Sequence, residues 1–378
     1  MPKVGIVISN YNGWQDTLVC LDSLQKQTFT DFEIVLLDDA SPNDSVAQLR
    51  DKLPANTVFL PQQQNLGFAA VNNVGIRRAL ADGCDFVLLL NNDTAVAPDM
   101  LETLLRETPD GAVSCPKMLF MDPPDAIWFA GGTLDSATGK VKHLGGHAKD
   151  GPAFAKKQQV SFITFCCVLL PRSVIERVGY LDETLFMYCE DVDYCIRLAQ
   201  AGVPLWFLPD ARLWHKAGGS AGGMLSVYYI TRNTLYLTCK GKSRAYAKCK
   251  TVLPLLTGAA RYALTKALGR KKGRSYGAYR GAVDLDRLAC QHHGRTGPGH
   301  QAPHLIVQLL RRPGEIHRRE AFIQHGRVGV RRVILRRPGD GAAFDLPDGL
   351  MQRLCAQLRQ PRRQRHRVLV RIDGRLAA

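Results

Sequence analysis

Several signatures that would assign a nucleotide-binding class at once are missing from this 378-residue sequence. No Gly-x-Gly-x-x-Gly follows its first apolar run, and no Gly-x-x-x-x-Gly-Lys-Ser/Thr occurs in it, which argues against a dinucleotide site and against a P-loop. Cysteine occurs eleven times, but never as a Cys-x-x-Cys pair. Because most of the cysteines lie in apolar runs, they are predicted to be free thiols in a reducing cytoplasm.

Long apolar runs are also absent. The longest candidate, residues 252–268, is interrupted by Pro254, Arg261 and Lys266 and falls short of the roughly 20 apolar residues that span a bilayer. The N-terminus passes from Met1-Pro2-Lys3 into a short apolar run and is too quickly polar for a signal peptide. The predicted location is therefore the cytoplasm, with peripheral attachment to the inner face of the cell membrane left open.

Acidic residues are scarce in the last part of the chain. Residues 1–240 carry 20 Lys and Arg against 26 Asp and Glu, whereas residues 241–378 carry 30 against 8. No lysine follows Lys272, although arginine occurs 21 times after it. The parts need separate explanations, so we predict a folded domain at 1–240, a basic amphipathic helical segment at 241–294 and an Arg-rich tail at 295–378.

Short apolar runs alternate with helical patterns over the first 120 residues. The runs at 4–8, 32–37, 57–60 and 86–90 are typical of buried strands, and helical spacing lies between them. This alternation predicts an α/β fold with a mostly parallel central sheet flanked by helices. Ligands of such sheets bind beyond the carboxyl ends of the strands. The polar loops 9–13, 38–41 and 91–93 are expected to meet there and form a site.

The residue types in these loops suit a nucleotide. Asp38 and Asp39, after the second strand, could accept hydrogen bonds from a ribose or a base. Asp93 follows the fourth strand and two asparagines, and a carboxylate there suits Mg²⁺ or Mn²⁺ held together with ligand phosphates. The alternative is that these residues cap helices, which their types also favour.

The stretch FMYCEDVDYCIRL, residues 186–198, places three acids among apolar neighbours. A helix N-terminus favours one acid without any function, and Asp193 could pair with Arg197 four positions later. Three acids fit that explanation poorly. The acids at 190 and 191 therefore call for either a positively charged partner or a proton-transfer task.

Six segments occur in one order, namely SNYNG, LLDDASPNDS, NLGFAAVNNVGI, LLLNNDTAVAP, FMYCEDVDYCIRL and WHKAGGS. Together they resemble the family-2 inverting glycosyltransferases of the GT-A fold, most of all the rhamnosyltransferase-like bacterial members that build cell-surface polysaccharides. The resemblance covers about residues 3–240. It implies a GT-A fold, followed in this chain by a basic C-terminal extension.

The resemblance also implies roles for particular residues. Asp191 would be the catalytic base, and Glu190 would orient an acceptor hydroxyl or raise the proton affinity of its neighbour. Asp93 and His215 would hold Mn²⁺ or Mg²⁺, with Asn91 standing where relatives have the first acid of a DxD motif. The residues implied to contact the nucleotide-sugar are Ser9, Tyr11, Asn12, Asp38, Asp39, Asn65, Gly67, Phe68, Asn91 and Asn92. A structural role is the alternative for His215, and Arg232-Asn233 could either face a phosphate or lie on a helix surface.

The implied activity is metal-dependent transfer of a sugar, with rhamnose suggested by the nearest likeness. The donor would be a nucleoside-diphosphate sugar, and the acceptor a saccharide or a lipid-linked saccharide. The alternative is a catalytically silent protein of the same fold that binds nucleotide-sugars or polysaccharide. A nucleotidyltransferase fits less well, because the sequence lacks a Gly-rich triphosphate loop near its N-terminus.

The basic segments carry separate expectations. Residues 244–274 mix apolar and cationic side chains at helical spacing, which favours an anionic membrane surface as a partner, with a simple packing helix as the alternative. The tail at 295–378 is expected to be mobile and to be an unrelated or frame-shifted extension. Its basic runs lack interleaved aromatic residues, so nucleic acid is not an expected partner.

Overall fold

The computed structural model describes residues 2–136, 138–218, 223–240, 242, 244–267, 273–292, 323–324 and 327–328. The helices of the first compact unit, Met1–Gly299, are α1 (Trp14–Leu24), α2 (Ser45–Arg50), α3 (Phe68–Ala81), α4 (Met100–Glu107), α5 (Arg172–Val178), α6 (Glu190–Gln200), α7 (Met224–Cys239), α8 (Arg244–Ala267) and α9 (Gly273–His292). Its strands are β1 (Val4–Asn10), β2 (Phe32–Asp38), β3 (Thr57–Pro61), β4 (Phe86–Asn91), β5 (Thr94–Val96), β6 (Val113–Phe120), β7 (Ile127–Phe129), β8 (Gly132–Asp135), β9 (Lys140–His143), β10 (Gln158–Val160), β11 (Cys167–Pro171) and β12 (Leu205–His215).

A ten-stranded sheet forms the centre of this unit, in the order β10-β12-β6-β11-β4-β1-β2-β3, with β5 paired to β12 and β7 to β6. The half built from β4, β1, β2 and β3 is parallel throughout. The predicted α/β class with a central sheet is confirmed. The other half is mixed, because β11 runs antiparallel between β4 and β6.

Strands β1, β2 and β4 of the parallel half are mostly buried on both faces, as their apolar runs require, whereas the edge strand β3 is partly exposed. In β1 the side chains of Val4, Ile6, Val7 and Ile8 are fully buried. Helix α3 lies close against this strand because Gly75 has no side chain; a Cβ there would overlap Val7. The close packing places the N-terminus of α3 at the carboxyl edge of the sheet.

The strand register brings the polar loops together as predicted from the alternation. Ser9 lies opposite both Leu37 and Asn91, and Asn10 lies opposite Asp38. The loops after β1, β2 and β4 therefore leave the sheet at the same level. This edge carries the candidate site.

Helices α7, α8 and α9 pack together within the same compact unit. Gly277 and Gly281 of α9 lie against the backbone of α7, where a Cβ would overlap the carbonyl oxygens of Met224 and Tyr228. The Tyr228 hydroxyl donates a hydrogen bond of 3.0 Å to Asp284 of α9. Helix α9 is therefore a close support for α7. The division of the chain at residue 240 stays a prediction.

The described cysteines are free thiols, and most of them are buried, as predicted. Burial raises the pKa of the Cys20 thiol to about 12, so that it stays protonated in the core. In the described part of the chain, no helix has the length and apolar character needed to cross a membrane.

The predicted tail at 295–378 lies almost wholly outside the described residues. In the second unit, His300–Ala378, the structure describes two strands, β13 (Ile323–Gln324) and β14 (Arg327–Val328), which pair antiparallel.

Candidate active site

A buried amide joins the loops at the carboxyl edge. Asn10 is fully buried, and its Nδ2 donates a hydrogen bond of 2.7 Å to Asp38 Oδ2. Its Oδ1 accepts from Gly13 N, Thr17 Oγ1 and Asn92 Nδ2 at 3.1, 3.0 and 3.3 Å. Sequence reasoning did not single out Asn10. Its position inside the polar SNYNG segment, at the end of a buried strand, is the only signal that could have found it.

Two predicted nucleotide contacts, Asp38 and Asn92, hold loops in place. Asp38 accepts hydrogen bonds from Ser41 N at 2.9 Å and from Ser41 Oγ at 2.7 Å, in addition to that from Asn10. Asn92 Nδ2 also donates to Gly13 O at 3.2 Å and to Thr17 Oγ1 at 3.0 Å. Their polar atoms therefore point into the protein, and direct contact with a nucleotide stays a prediction.

Asp39 anchors the loop that precedes α3. It is nearly buried, and its two oxygens accept hydrogen bonds from Leu66 N at 2.6 Å and Gly67 N at 3.0 Å. Gly67 has φ +82°, and a Cβ there would overlap the ring of Phe186. The loop with the predicted contacts Asn65, Gly67 and Phe68 is thus held against the segment that carries the acids.

The remaining predicted contacts reach the surface at this edge. Asn12 is exposed, and its N–H donates a hydrogen bond of 2.8 Å to Ser41 Oγ. The side chains that are partly accessible to a ligand are Ser9, Tyr11, Asn65, Phe68 and Asn91. The structure therefore brings the predicted nucleotide residues to one edge.

Asp93 and His215 face each other. His215 ends β12 and lies opposite Thr94 of β5, which places its Nε2 3.1 Å from Asp93 Oδ1. The His215 ring is largely buried and meets the Trp128 ring edge-on at a centroid distance of 4.3 Å. Its buried Nδ1 finds no hydrogen-bond partner among the residues described.

This pair fits a hard divalent cation with few protein ligands. Adjacent ligands of an octahedral Mg²⁺ ion lie about 3 Å apart, given metal–oxygen distances near 2.1 Å, and Asp93 Oδ1 and His215 Nε2 have that separation. The described residues contain no cluster of three or more His, Cys, Asp or Glu side chains suited to a metal. An ion here would take its remaining ligands from phosphates and water, as Mg²⁺ usually does.

Glu190 and Asp191 are the first two residues of α6, and their carboxyl groups have little access to water. Burial, and then the charge of Asp191, raise the pKa of Glu190 well above its ordinary value. Glu190 Oε2 is buried and has no hydrogen-bond partner in the described structure. Burial also raises the pKa of Asp191, although hydrogen bonds, including one of 2.8 Å from Val192 N, oppose the rise. The pair therefore holds a proton at a pH where exposed carboxyl groups have lost theirs.

A short segment connects the acids to the loop of Asp93. Thr164 and Phe165 donate hydrogen bonds that lower the pKa of Asp191. The next residue, Cys166, accepts a hydrogen bond of 2.8 Å from Asn91 N through its carbonyl oxygen. The acid pair and the Asp93–His215 pair thus border the same edge of the sheet.

The other polar residues near the acids have structural partners. Asp193 accepts hydrogen bonds from Arg197 Nε at 2.8 Å and Lys240 Nζ at 2.6 Å, which confirms the predicted pairing with Arg197. Arg232 and Asn233 are buried and bond to carbonyl oxygens of residues 184–188. The expectation that they face a phosphate or lie on a helix surface is therefore wrong.

A family model described as glycosyl transferase family 2 matches residues 5–179. This part of the chain is therefore similar to glycosyl transferase family 2. The matched range includes the loops of Asn10, Asp39 and Asp93. Glu190, Asp191 and His215 follow it, so their assignment depends on the geometry and on the sequence motifs.

Curated relatives are similar to half of the chain or slightly more. An N-acetylglucosaminyl-diphospho-decaprenol L-rhamnosyltransferase of Mycobacterium tuberculosis is 27% identical over 216 residues, covering 50% of this chain and 68% of the relative. A low-salt glycan biosynthesis hexosyltransferase of Haloferax volcanii is 25% identical over 209 residues, covering 54% of this chain and 64% of the relative. An uncharacterised Sinorhizobium fredii protein is 23% identical over 231 residues, which are 58% of this chain and 25% of that protein.

Among solved structures, a mannosyltransferase of Pyrobaculum calidifontis in complex with GDP-Man and Mn²⁺ superposes with a TM-score of 0.45 at 14% identity. The superposition covers 78% of this chain and 88% of that one. The chain covers between a quarter and about two thirds of the length of the curated relatives named above.

We predict that Glu190→Gln stabilises this protein increasingly as pH rises. Because the folded-state pKa of Glu190 lies above the ordinary value of 4.5, the folded protein keeps this proton to a higher pH than the unfolded chain does. The stability contributed by Glu190 is therefore complete below pH 4.5 and is lost as pH rises toward the folded-state pKa. The gain in free energy of unfolding should reach about 1.4 kcal/mol for each unit of pKa shift removed.

Urea unfolding at a series of pH values, with wild type and variant in parallel, measures this difference. Glu176→Gln is the control, because its side chain is 60% exposed and the change should be independent of pH. A Glu190→Gln difference that stays constant with pH would contradict the raised pKa.

Proposed function

We propose that this protein transfers a sugar, with inversion, from a nucleoside-diphosphate donor to a saccharide or lipid-linked saccharide acceptor. The setting would be the synthesis of a bacterial cell-surface polysaccharide. The observation that carries the proposal is the acid pair at the start of α6, in which the buried Glu190 Oε2 has no hydrogen-bond partner among the described residues. This pair lies beside the carboxyl edge of the sheet in a chain similar to glycosyl transferase family 2. The Mycobacterium relative, by its name, is a rhamnosyltransferase with a lipid-linked acceptor, and it supports rhamnose as the first donor to test.

Asp191 is the proposed base. In a single displacement, the acceptor oxygen forms a bond to the anomeric carbon while the bond from that carbon to the diphosphate oxygen breaks. The acceptor proton moves to an Asp191 oxygen, and the nucleoside diphosphate leaves with the electron pair. The raised pKa of Asp191 suits this task, since its carboxylate binds a proton more strongly than an exposed aspartate does. Glu190, in its protonated form, can donate a hydrogen bond to an acceptor oxygen.

Asp93 and His215 are the proposed protein ligands of Mn²⁺ or Mg²⁺. The ion would neutralise charge that develops on the leaving diphosphate. Asp93 also fixes the start of the loop after β12, because its carbonyl oxygen accepts a hydrogen bond of 2.9 Å from Lys216 N. The pair would therefore keep the diphosphate at the edge where Ser9 and Tyr11 are accessible.

Helix α8 supports an anionic membrane surface as a further partner. Its side chains Leu253, Leu256 and Leu264 are 67%, 64% and 60% exposed, and their spacing places them on one face. Exposed Lys250 and Arg261 lie beside that face, and no acidic residue occurs between residues 244 and 267. Residues 293–378 carry 18 Arg against 6 Asp and Glu. Because this segment and helix α8 are both positively charged, repulsion disfavours binding of the segment to the leucine face of α8. A surface of this kind suits anionic lipid.

We predict that Asp191→Asn abolishes transfer while donor binding persists. Purified protein would be incubated with Mn²⁺ or Mg²⁺ and a panel of nucleoside-diphosphate sugars, with saccharide and lipid-linked acceptors supplied. Turnover should fall at least about 100-fold in the variant, because the positioned base is lost, and should be unchanged in Asp210→Asn, whose side chain is exposed. Donor binding without turnover in the wild type, unaffected by Asp191→Asn, would favour the catalytically silent binding protein instead.

We predict that Asp93→Asn and His215→Ala each weaken Mn²⁺ binding at least about 10-fold in the presence of nucleoside diphosphate. Calorimetry or electron paramagnetic resonance of bound Mn²⁺ measures this without any turnover. His147→Ala, at an exposed histidine, is the control. Equal Mn²⁺ affinity in all three variants would rule out the Asp93–His215 site.

We predict that the combined change Leu253→Ser, Leu256→Ser and Leu264→Ser reduces binding to anionic vesicles at least about 10-fold, because the apolar face then cannot enter the interface. Vesicle sedimentation at low and high salt measures the effect. Val19→Ser, at a valine of α1 that is 53% exposed, is the control. If the triple change altered the oligomeric state and left vesicle binding unchanged, the face would be a contact between copies of this chain.

A further inference from the structure

The segment that leads into the acid pair has an unfavourable backbone. Phe186, Tyr188 and Cys189 have φ of 63°, 66° and 68°, a region that side chains with a Cβ rarely adopt. Each such residue makes the backbone conformation less favourable. Because Cys189 directly precedes Glu190, this turn sets the direction from which both acids enter the site. It persists only if neighbouring groups hold it.

Helix α7 supplies those groups through Asn233. This side chain is fully buried, and its Nδ2 lies 2.9, 2.8 and 2.6 Å from the carbonyl oxygens of Leu185, Met187 and Tyr188. Two amide hydrogens thus serve three carbonyl groups of the turn.

Arg232 fixes the orientation of that amide. Its Nε donates a hydrogen bond of 2.7 Å to Asn233 Oδ1, so the amide nitrogen must face the turn. Its Nη2 donates to the carbonyl oxygens of Thr184 and Leu185 at 2.8 and 2.7 Å. The guanidinium also lies over the ring of Tyr229, at 5.0 Å.

The same side of α7 holds both ends of the segment. Tyr236 Oη donates a hydrogen bond of 3.1 Å to Asp182, ahead of the turn. Lys240 Nζ lies 2.7 Å from Asp182 and 2.6 Å from Asp193, in the first turn of α6. Residues 232, 236 and 240 are four apart, which places them along one side of the helix. Contacts from α7 therefore bracket Glu190 and Asp191.

We propose that Arg232 and Asn233 are positioning residues for the acid pair: they hold the left-handed turn at 186–189 and thereby place the carboxyl groups of Glu190 and Asp191. This inference rests on the proposed transferase function for its kinetic consequence only. The conformational consequence, an ordered turn that depends on Asn233, is independent of any activity.

The decisive variant is Asn233→Leu, which has nearly the same shape but no donor. Amide hydrogen exchange of residues 182–192 should become at least about 10-fold faster, because the turn loses its partners. The kcat for transfer should fall about 100-fold, while the KM for donor changes little, because a displaced base affects the reaction more than donor binding. Ile230→Ala is the matched control, since Ile230 lies on the same helix and is 45% exposed.

A rescue experiment separates positioning from a general loss of folding. Cys189→Gly makes the left-handed conformation less unfavourable. The kcat of the Asn233→Leu, Cys189→Gly double variant should therefore be at least about 3-fold higher than that of Asn233→Leu alone. If Asn233→Leu fails to accumulate as folded protein, Asn233→Ser, which keeps one donor, replaces it in both measurements.

The inference would be overturned if folded Asn233→Leu had the amide exchange rates and the kcat of the wild type. It would also be overturned if the kcat of the double variant were no higher than that of Asn233→Leu. A wild-type protein without turnover on any donor would instead count against the transferase function. In that case the exchange measurement still decides whether Asn233 holds the turn.

Discussion

The candidate site depends on the buried hydrogen bonds of one amide, that of Asn10. An asparagine inside a sheet is tolerable only if its polar atoms are satisfied. Asn10 satisfies them with groups from the loops after β1, β2 and β4. The parallel register of these strands makes this possible, since it delivers Asp38 opposite Asn10. Without this amide, the three loops would have no common hydrogen-bonding partner, and the carboxyl edge of the sheet would lose its defined shape.

The second half of the site follows a different physical rule. Glu190 and Asp191 are kept from water, which favours their protonated forms. That placement is unfavourable for the ionised state, and the turn before it is unfavourable for the backbone. Both are maintained by helix α7, which lies beyond the range matched by the family model. The two halves meet through Thr164–Cys166. Thr164 and Phe165 donate hydrogen bonds to Asp191, and the carbonyl oxygen of Cys166 accepts one from Asn91 N at the carboxyl edge of the sheet.

Local patterns in the sequence were sufficient for the α/β class and for the convergence of three loops. Apolar runs such as 4–8 and 86–90 identify buried strands, and parallel strands bring their carboxyl ends to one edge. Asp93 and His215 were placed together only through the resemblance to family-2 glycosyltransferases, because 122 positions separate them. The antiparallel insertion of β11 was not predictable, since strand order is decided by long-range packing. The same limit applies to Asn10 and Asn233, whose importance lies in partners that no local pattern reveals.

The glycine contacts of α9 have a consequence for how this protein could be divided or recombined. Because Gly277 and Gly281 let α9 lie directly on α7, and α7 holds the turn before the acids, support for the acid pair comes from residues about 90 positions downstream of Asp191. A chimaera that exchanges only the family-matched portion with a relative would pair one protein's loops after β1, β2 and β4 with another's acid-bearing turn. The natural unit of exchange in this chain therefore extends from α6 through α9, and a junction between α6 and α9 would separate the acids from helices that hold the turn before them.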